Sequence, residues 1–226
     1  MVRTDVVQRL RIKYGVEEPL IYASVLDMGR LWERLLRRAR IPVAYTQGFS
    51  PHPRLQFASA LPVGYSSECE LLDVLIAERL DLSDFLVATR SQAPIGLNII
   101  YVEDQPLKAE IPQASMRAAQ YRVRLWSPAA PSEIKGAFDG LLAKPSIIRR
   151  RMKKGRMADY DLRPLIEGIR YVSSEGDCHT LDMLLHNSPS GSGRPEEIIA
   201  ETGLNVTHYA IHRVRLIWGG GEEITS

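Results

Sequence analysis

The chain has 226 residues, enough to bury one sizeable core or two smaller ones. Its 45% hydrophobic and 25% charged residues are ordinary for a soluble globular protein. The net charge of +2 is too small to imply a nucleic-acid partner unless the charge is clustered. Two cysteines, Cys69 and Cys178, stand far apart, which excludes a zinc ribbon or a self-contained cysteine-ligated iron–sulfur site. The opening MVRTDVVQRLRIKYG lacks the apolar core of a secretory signal. No stretch approaches the ~20 apolar residues that span a bilayer. A cytoplasmic location with no membrane partner is the expectation, and the oligomeric state is left open.

Val7 to Tyr14 alternates polar and apolar residues, predicting a half-buried strand with Leu10, Ile12 and Tyr14 on one face. Ser24 with Asp27 reads as a capping box with Asp in place of Glu. Met28, Leu31, Trp32, Leu35, Leu36 and Ala39 then keep helical spacing until Pro42. After a loop rich in Gly, Pro and Ser, Arg54 to Pro62 and Cys69 to Ala77 predict two strands joined by Val63-Gly64-Tyr65-Ser66-Ser67. A short helix from Ser83 to Arg90 and a strand from Leu97 to Glu103 complete the order β-α-β-β-α-β, the ferredoxin-like pattern.

Residues 108–117, around Pro112, read as a linker, and the order then begins again. Gln120 to Trp126 predicts a strand whose Gln120-Tyr121-Arg122-Val123-Arg124-Leu125 echoes Gln8-Arg9-Leu10-Arg11-Ile12. A helix over Ser132 to Leu142 places Ile134, Ala137, Phe138, Leu141 and Leu142 at helical spacing. Strands follow near Ile147 to Arg151, Glu167 to Ser173 and Thr180 to Leu185. A helix opens at Pro195 with Glu196 and Glu197 in its first turn and stops at Gly203. A strand from Val206 to Trp218 closes the series. The expected architecture is α+β: two tandem ferredoxin-like halves with antiparallel sheets, residues 1–107 and 118–219, with a tail at 220–226.

Three strands interleave basic with apolar residues: Arg9, Arg11 and Lys13; Arg122 and Arg124; Arg213 and Arg215. In a ferredoxin-like sheet the first and last strands are neighbours and both helices cover one face. Alternation therefore sends Arg122, Arg124, Arg213 and Arg215 together to the uncovered face. The same pattern also fits the solvated side of any amphipathic sheet. The segment Ile148 to Pro164 gathers Arg149, Arg150, Arg151, Lys153, Lys154 and Arg156, with Gly155 at the turn and Arg163 beyond. A basic hairpin tip of this kind suits phosphate contacts or an acidic partner. On the first helix, Arg30, Arg34, Arg37 and Arg38 lie opposite the apolar stripe, where a plain solvated face is the simpler reading.

The least generic stretch runs Tyr45-Thr46-Gln47-Gly48-Phe49-Ser50-Pro51-His52-Pro53-Arg54. Two prolines restrain the backbone at His52, and Gly48 permits an unusual dihedral. Tyr45, Gln47, Phe49 and Arg54 offer stacking and hydrogen bonds to an unstacked base. His52 is the one candidate general acid or base, set against a structural turn in which it merely caps a neighbour. His179, His186, His208 and His212 lack metal-site spacing, so no metal is expected. The run Ser188 to Pro195 is glycine-rich and precedes a helix, but it lacks the Lys-Ser/Thr ending of a P-loop, and a linker is the better reading.

Several of these motifs together carry a resemblance. They are Leu26-Asp27, Leu36-Arg37-Arg38-Ala39, the stretch from Tyr45 to Pro53 and Ala60-Leu61-Pro62-Val63-Gly64. Further on come Lys153-Lys154-Gly155, Asp161-Leu162-Arg163-Pro164, Arg194-Pro195-Glu196-Glu197 and His212-Arg213-Val214-Arg215-Leu216. Over nearly its whole length the chain resembles the radical-SAM-linked domain of unknown function, a bacterial family fused to or encoded beside radical SAM proteins. It departs from that family at Val25, where a Ser-His-Leu-Asp motif often has histidine. The resemblance implies a radical SAM protein as partner, which would carry the iron–sulfur cluster and S-adenosylmethionine. This chain would hold no cofactor of its own. The family's company of ribonuclease and ribosomal-protein genes implies an RNA substrate.

The leading expectation is an accessory, substrate-recognition or docking module for a radical SAM enzyme acting on RNA, without catalysis of its own. The alternatives are a metal-independent RNA-processing enzyme using His52, or a protein-only scaffold.

Overall fold

The computed structural model describes residues 5–153 and 155–219. The chain divides into two compact units, Met1–Ser115 and Met116–Ser226. Among the described residues no helix is long and apolar enough to cross a membrane.

The first unit runs β1 (Gln8–Val16), α1 (Val25–Arg38), β2 (Leu55–Phe57), β3 (Tyr65–Ile76), α2 (Leu82–Gln92) and β4 (Leu97–Gln105). All pairings are antiparallel, in the spatial order β2-β3-β1-β4. This is the ferredoxin-like arrangement. Ser24 and Asp27 form the full capping box, each side chain taking the other's backbone N–H, so α1 starts where the sequence places it. Met28, Trp32, Leu35 and Leu36 of α1 join Leu10, Ile12 and Tyr14 of β1 and Leu72, Val74 and Ile76 of β3 in one core. Trp32 meets Tyr14 edge-on, with ring centroids 5.1 Å apart.

The expected strand over Arg54 to Pro62 shrinks to Leu55–Phe57. On the same edge of β3 a second segment continues the pairing past Leu75. Ala44 N–H donates to the Leu75 carbonyl, Val43 bridges to Ile76, and Ala77 N–H donates to the Pro42 carbonyl. The loop between Tyr45 and Pro53 is thus an excursion from a sheet edge that leaves and returns at one place.

The second unit runs β5 (Met116–Trp126), α3 (Pro131–Ala143), β6 (Ile148–Lys153), β7 (Arg156–Asp161), β8 (Ile166–Glu175), β9 (Cys178–Ser188), β10 (Gly191–Ser192), α4 (Pro195–Glu201) and β11 (His208–Trp218). β5 begins at Met116, within the last residues expected to be linker. The antiparallel order β8-β9-β5-β11 repeats the ferredoxin-like plan. β6 and β7 form a separate hairpin inserted after α3, and β10 is a short addition to the β9 edge. Tyr121, Val123 and Leu125 of β5 and Leu181, Met183 and Leu185 of β9 are buried, as are Ile134, Phe138 and Leu141 of α3. The alternate residues Arg122 and Arg124 are exposed, which defines the open face.

Candidate functional site

Register assembles the open face of the second unit row by row. Arg170 on β8, Asp182 on β9, Arg122 on β5 and His212 on β11 stand across from one another in one row. In the next, Thr180, Arg124 and Ala210 align; in the third, Cys178, Trp126 and His208. The Arg124 guanidinium lies 5.8 Å from the Trp126 ring centroid, and the Trp126 and His208 rings are 5.0 Å apart. Asp182 accepts from Arg122 Nε at 3.1 Å and from Arg170 Nη2 at 2.6 Å. Arg122 and Arg170 are thus exposed about one nearly buried carboxylate, Arg124 beside the aromatic pair, and Arg215 in the row beyond Arg122. Such a surface can hold phosphates on its cations and a flat ring on Trp126. Trp126, His208 and Arg170 are the residues the sequence reading passed over. Strand alternation from Arg122 and Arg124 would have reached Trp126, but only the strand order brings His208 and Arg170 beside it.

One expectation for this face needs correction. Arg213 does not join Arg122 and Arg124, because the register shifts between Arg213 and Arg215. Arg213 stands across from Tyr121 and Arg215 across from Gln120, adjacent residues of β5 that face opposite sides. The extra residue, Val214, reverses the alternation. Arg213 is 1% exposed on the covered side, and Arg215 is exposed on the open one.

The basic hairpin is less free than its composition implies. Arg149 forms an ion pair with Glu201 and also donates to the Glu197 carbonyl, fastening β6 to α4. Arg150 pairs with Asp159 at 2.7 Å, directly across the hairpin. Arg151 lies 4.5 Å from the Tyr160 ring centroid. Burial, with the Glu197 carboxylate close by, pushes the Tyr160 hydroxyl up to about 12. Gly155 takes φ +75°, a left-handed conformation suited to glycine at this turn. Arg156 is exposed without an ion pair among the described residues, while Lys154 and the side chain of Lys153 lie outside them. Arg163 is corrected to a structural role: it donates to the Leu142 carbonyl at the end of α3 through Nε and Nη2, at 3.0 and 2.9 Å, and to the Ile166 carbonyl through Nη1 at 3.1 Å.

In the first unit, Arg9 and Arg11 are committed as well. Both bond the fully buried Asp73, and Arg9 also donates to the carbonyls of Ala109 and Glu110. Lys13 lies 5.7 Å from the Tyr101 ring centroid.

The loop from Tyr45 to Arg54 is closed at its base by Tyr45 opposite Pro53. Thr46 N–H donates to the His52 carbonyl, and His52 N–H to the Thr46 hydroxyl. Gly48 sits at φ +120°, and Phe49 at the tip is fully exposed. Gln47 and His52 are exposed beside it, whereas Arg54 is half-buried at the base. Among the described residues the His52 ring meets no carboxylate or other hydrogen-bonding side chain that would orient it for proton transfer. Arg37 and Arg38 are exposed in the last turn of α1, where their charge complements the helix dipole. No group of three or more His, Cys, Asp or Glu among the described residues could hold a metal.

No curated protein matches the chain. Among solved structures, one similar chain comes from "Crystal Structure of a Cbf5-Nop10-Gar1 Complex" (12% identity, TM-score 0.48). The match covers 96% of this chain and 61% of that one, so this chain spans under two thirds of its length. An unknown protein from Galdieria sulphuraria matches at 12% identity and TM-score 0.25, covering 92% of this chain and 98% of its own. A putative glycine cleavage system transcriptional repressor matches at 11% and 0.25, covering 94% and 98%. The profile of one bacterial family matches residues 9–195, from the first strand through the start of α4. The chain belongs to that family, described as an uncharacterized protein conserved in bacteria, DUF2344.

Proposed function

We propose that this protein is an RNA-binding accessory module, which presents its substrate on the open sheet face of the second unit to a radical S-adenosylmethionine enzyme. The observation that carries the RNA half is the group Arg124, Trp126 and His208, with the exposed Arg122 and Arg170 two rows along the same face and Arg215 in the row beyond. A duplex offers no free ring faces to such a platform, whereas an unpaired base does. The substrate is therefore single-stranded or looped RNA. Direction comes from the arginines, which outnumber the one acid among them, Asp182.

The partner half is supported by the resemblance to radical-SAM-linked proteins and by the chain's two distant cysteines, which cannot supply a three-cysteine cluster motif. The exposed Phe49, on a loop anchored at both ends, supplies a compact apolar anchor for that protein.

The RNA reading is tested by titrating a fluorescent single-stranded RNA into wild type, R122Q/R124Q and W126A. Affinity should fall steeply with salt, R122Q/R124Q should flatten that slope, and W126A should cost roughly 1–3 kcal/mol at any salt concentration. Absence of binding at low salt, or indifference to W126A, overturns it. For the partner half, the tagged protein is used to capture its partners from its native cell, with a radical SAM protein expected among them. Capture that is lost in F49A is expected; no capture by wild type overturns it.

A further inference from the structure

The first unit holds a groove of about 380 Å³ between α1 and the end of α2, lined by Leu20, Ala23, Leu31, Leu35 and Pro94 with Asp27, Arg30, Arg34, Arg38 and Gln92. Its size lies within the range of small-molecule sites. Arg30, Arg34 and Arg38 recur every fourth residue, so their α-carbons stand about 6 Å apart along the helix axis. Like charges at this spacing repel one another and weaken a helix. Of the three, Arg30 alone forms an ion pair among the described residues, with Asp27 at 3.6 Å. That carboxylate is already engaged, since Ser24 donates to it through both its hydroxyl and its backbone N–H. Arg34 and Arg38 have no ion pair or side-chain hydrogen bond among the described residues, and both are exposed. The groove therefore carries three cations along one wall, with Asp27 engaged at one end, and a mainly apolar lining broken by Gln92.

A bare inorganic anion would satisfy the cations and leave the accessible parts of Leu20, Leu31 and Pro94 wet. A purely apolar ligand would desolvate three guanidinium groups without pairing them. The ligand that answers both is amphipathic, with anionic oxygens at one end and a flat or apolar body at the other. Arginine forks match phosphate oxygens two at a time. We propose that this groove binds an organic phosphate of nucleotide type, its phosphates on Arg30, Arg34 and Arg38 and its ring on Leu20, Leu31 and Pro94. Gln92 supplies the one neutral side-chain amide available to a ring edge. This proposal is independent of RNA binding by the second unit and uses none of its residues.

The test is calorimetric titration of the full chain with adenosine diphosphate, inorganic pyrophosphate and adenosine in turn. Adenosine diphosphate should bind at least tenfold more tightly than either of the others. The R34Q/R38Q double variant should weaken it by roughly tenfold or more, as expected for lost charge-assisted hydrogen bonds. A change of equal chemistry elsewhere, Lys135→Gln on the exposed side of α3, should leave it unaltered. Circular dichroism of each variant checks that α1 remains folded; both arginines are exposed, so it should. Equal affinity for pyrophosphate overturns the proposal, since the apolar floor would then do nothing. No binding at millimolar concentration, or equal weakening by Lys135→Gln, overturns it too.

Discussion

Asp182 on β9 lies directly across from Arg122 on β5 and accepts its Nε at 3.1 Å. Arg170 reaches the same carboxylate from β8, so one acid, 6% exposed, holds cations of both flanking strands. Asp182→Ala should cost about 1 kcal/mol, because both arginines are more than half exposed and water screens the pairs. The same change makes the face more positive, so RNA affinity should rise and its salt dependence steepen. Urea denaturation and RNA titration over a salt series read the two effects separately.

Asp73 presents the buried counterpart. It is 0% exposed and bonds Arg9 and Arg11, whose side chains are 4% and 11% exposed. Removing the acid leaves buried positive charge without its counterion, a loss of roughly 3–5 kcal/mol. Arg9 also fastens the Ala109–Glu110 backbone, so Asp73→Ala should loosen that segment. Denaturation midpoints and faster proteolysis near residues 109–110 check this.

Asp161 should mark the acid limb of stability. The Ile147 N–H is the main cause of its lowered pKa, with the Arg163 N–H, the Ser146 hydroxyl and the Arg163 charge adding to it against some desolvation. A folded-state pKa below the unfolded one means its contribution is full above about pH 4 and is lost as pH falls through the folded value. Asp161→Ala should therefore lower stability at neutral pH and flatten the decline as pH falls below about 4. An unchanged acid limb in urea titrations would contradict the assignment.

Tyr101 carries a buried hydroxyl with no hydrogen-bond partner among the described residues. Burial, with Glu103 nearby, pushes its pKa up to about 12. Tyr101→Phe removes that unmet donor and should leave stability unchanged or raise it by up to about 1 kcal/mol. Thermal unfolding measures the sign.

The loop tip should separate docking from catalysis. Phe49→Ala removes a fully exposed side chain and should change stability by less than about 0.5 kcal/mol while abolishing capture of the proposed radical SAM partner. His52→Ala should leave RNA affinity and RNA integrity as they are in wild type. RNA cleavage by the wild-type chain that H52A abolishes would reinstate the processing-enzyme reading.

Much of this architecture was legible because its signals are local. The capping box at Ser24 and the stripe from Met28 to Leu36 specify α1 through contacts within one helix, and the structure repeats them. Alternation in β5 likewise announces which residues are buried, whereas in β1 it marks only one face, since Gln8 and Arg9 are buried too. Signals that depend on a partner strand were not legible. Val214 looks like any strand residue, yet the shift beside it sends Arg213 inward and Arg215 outward. The arginine run from 149 to 151 reads as an open tip, yet Glu201, Asp159 and Tyr160 engage it from elsewhere in the chain or across the hairpin.

By itself the sequence determined two β-α-β-β-α-β series, the position of the inserted basic hairpin and the lack of cysteines for a cluster, since periodicity, caps and composition are properties of neighbours along the chain. Tertiary structure alone decided which cations remain available. Whether an arginine meets solvent or a carboxylate depends on strand order and register, which bring together residues 60 positions apart, as with Arg122 and Asp182. It also decided the company of Trp126, which reads as an ordinary strand end until β11 sets His208 against it.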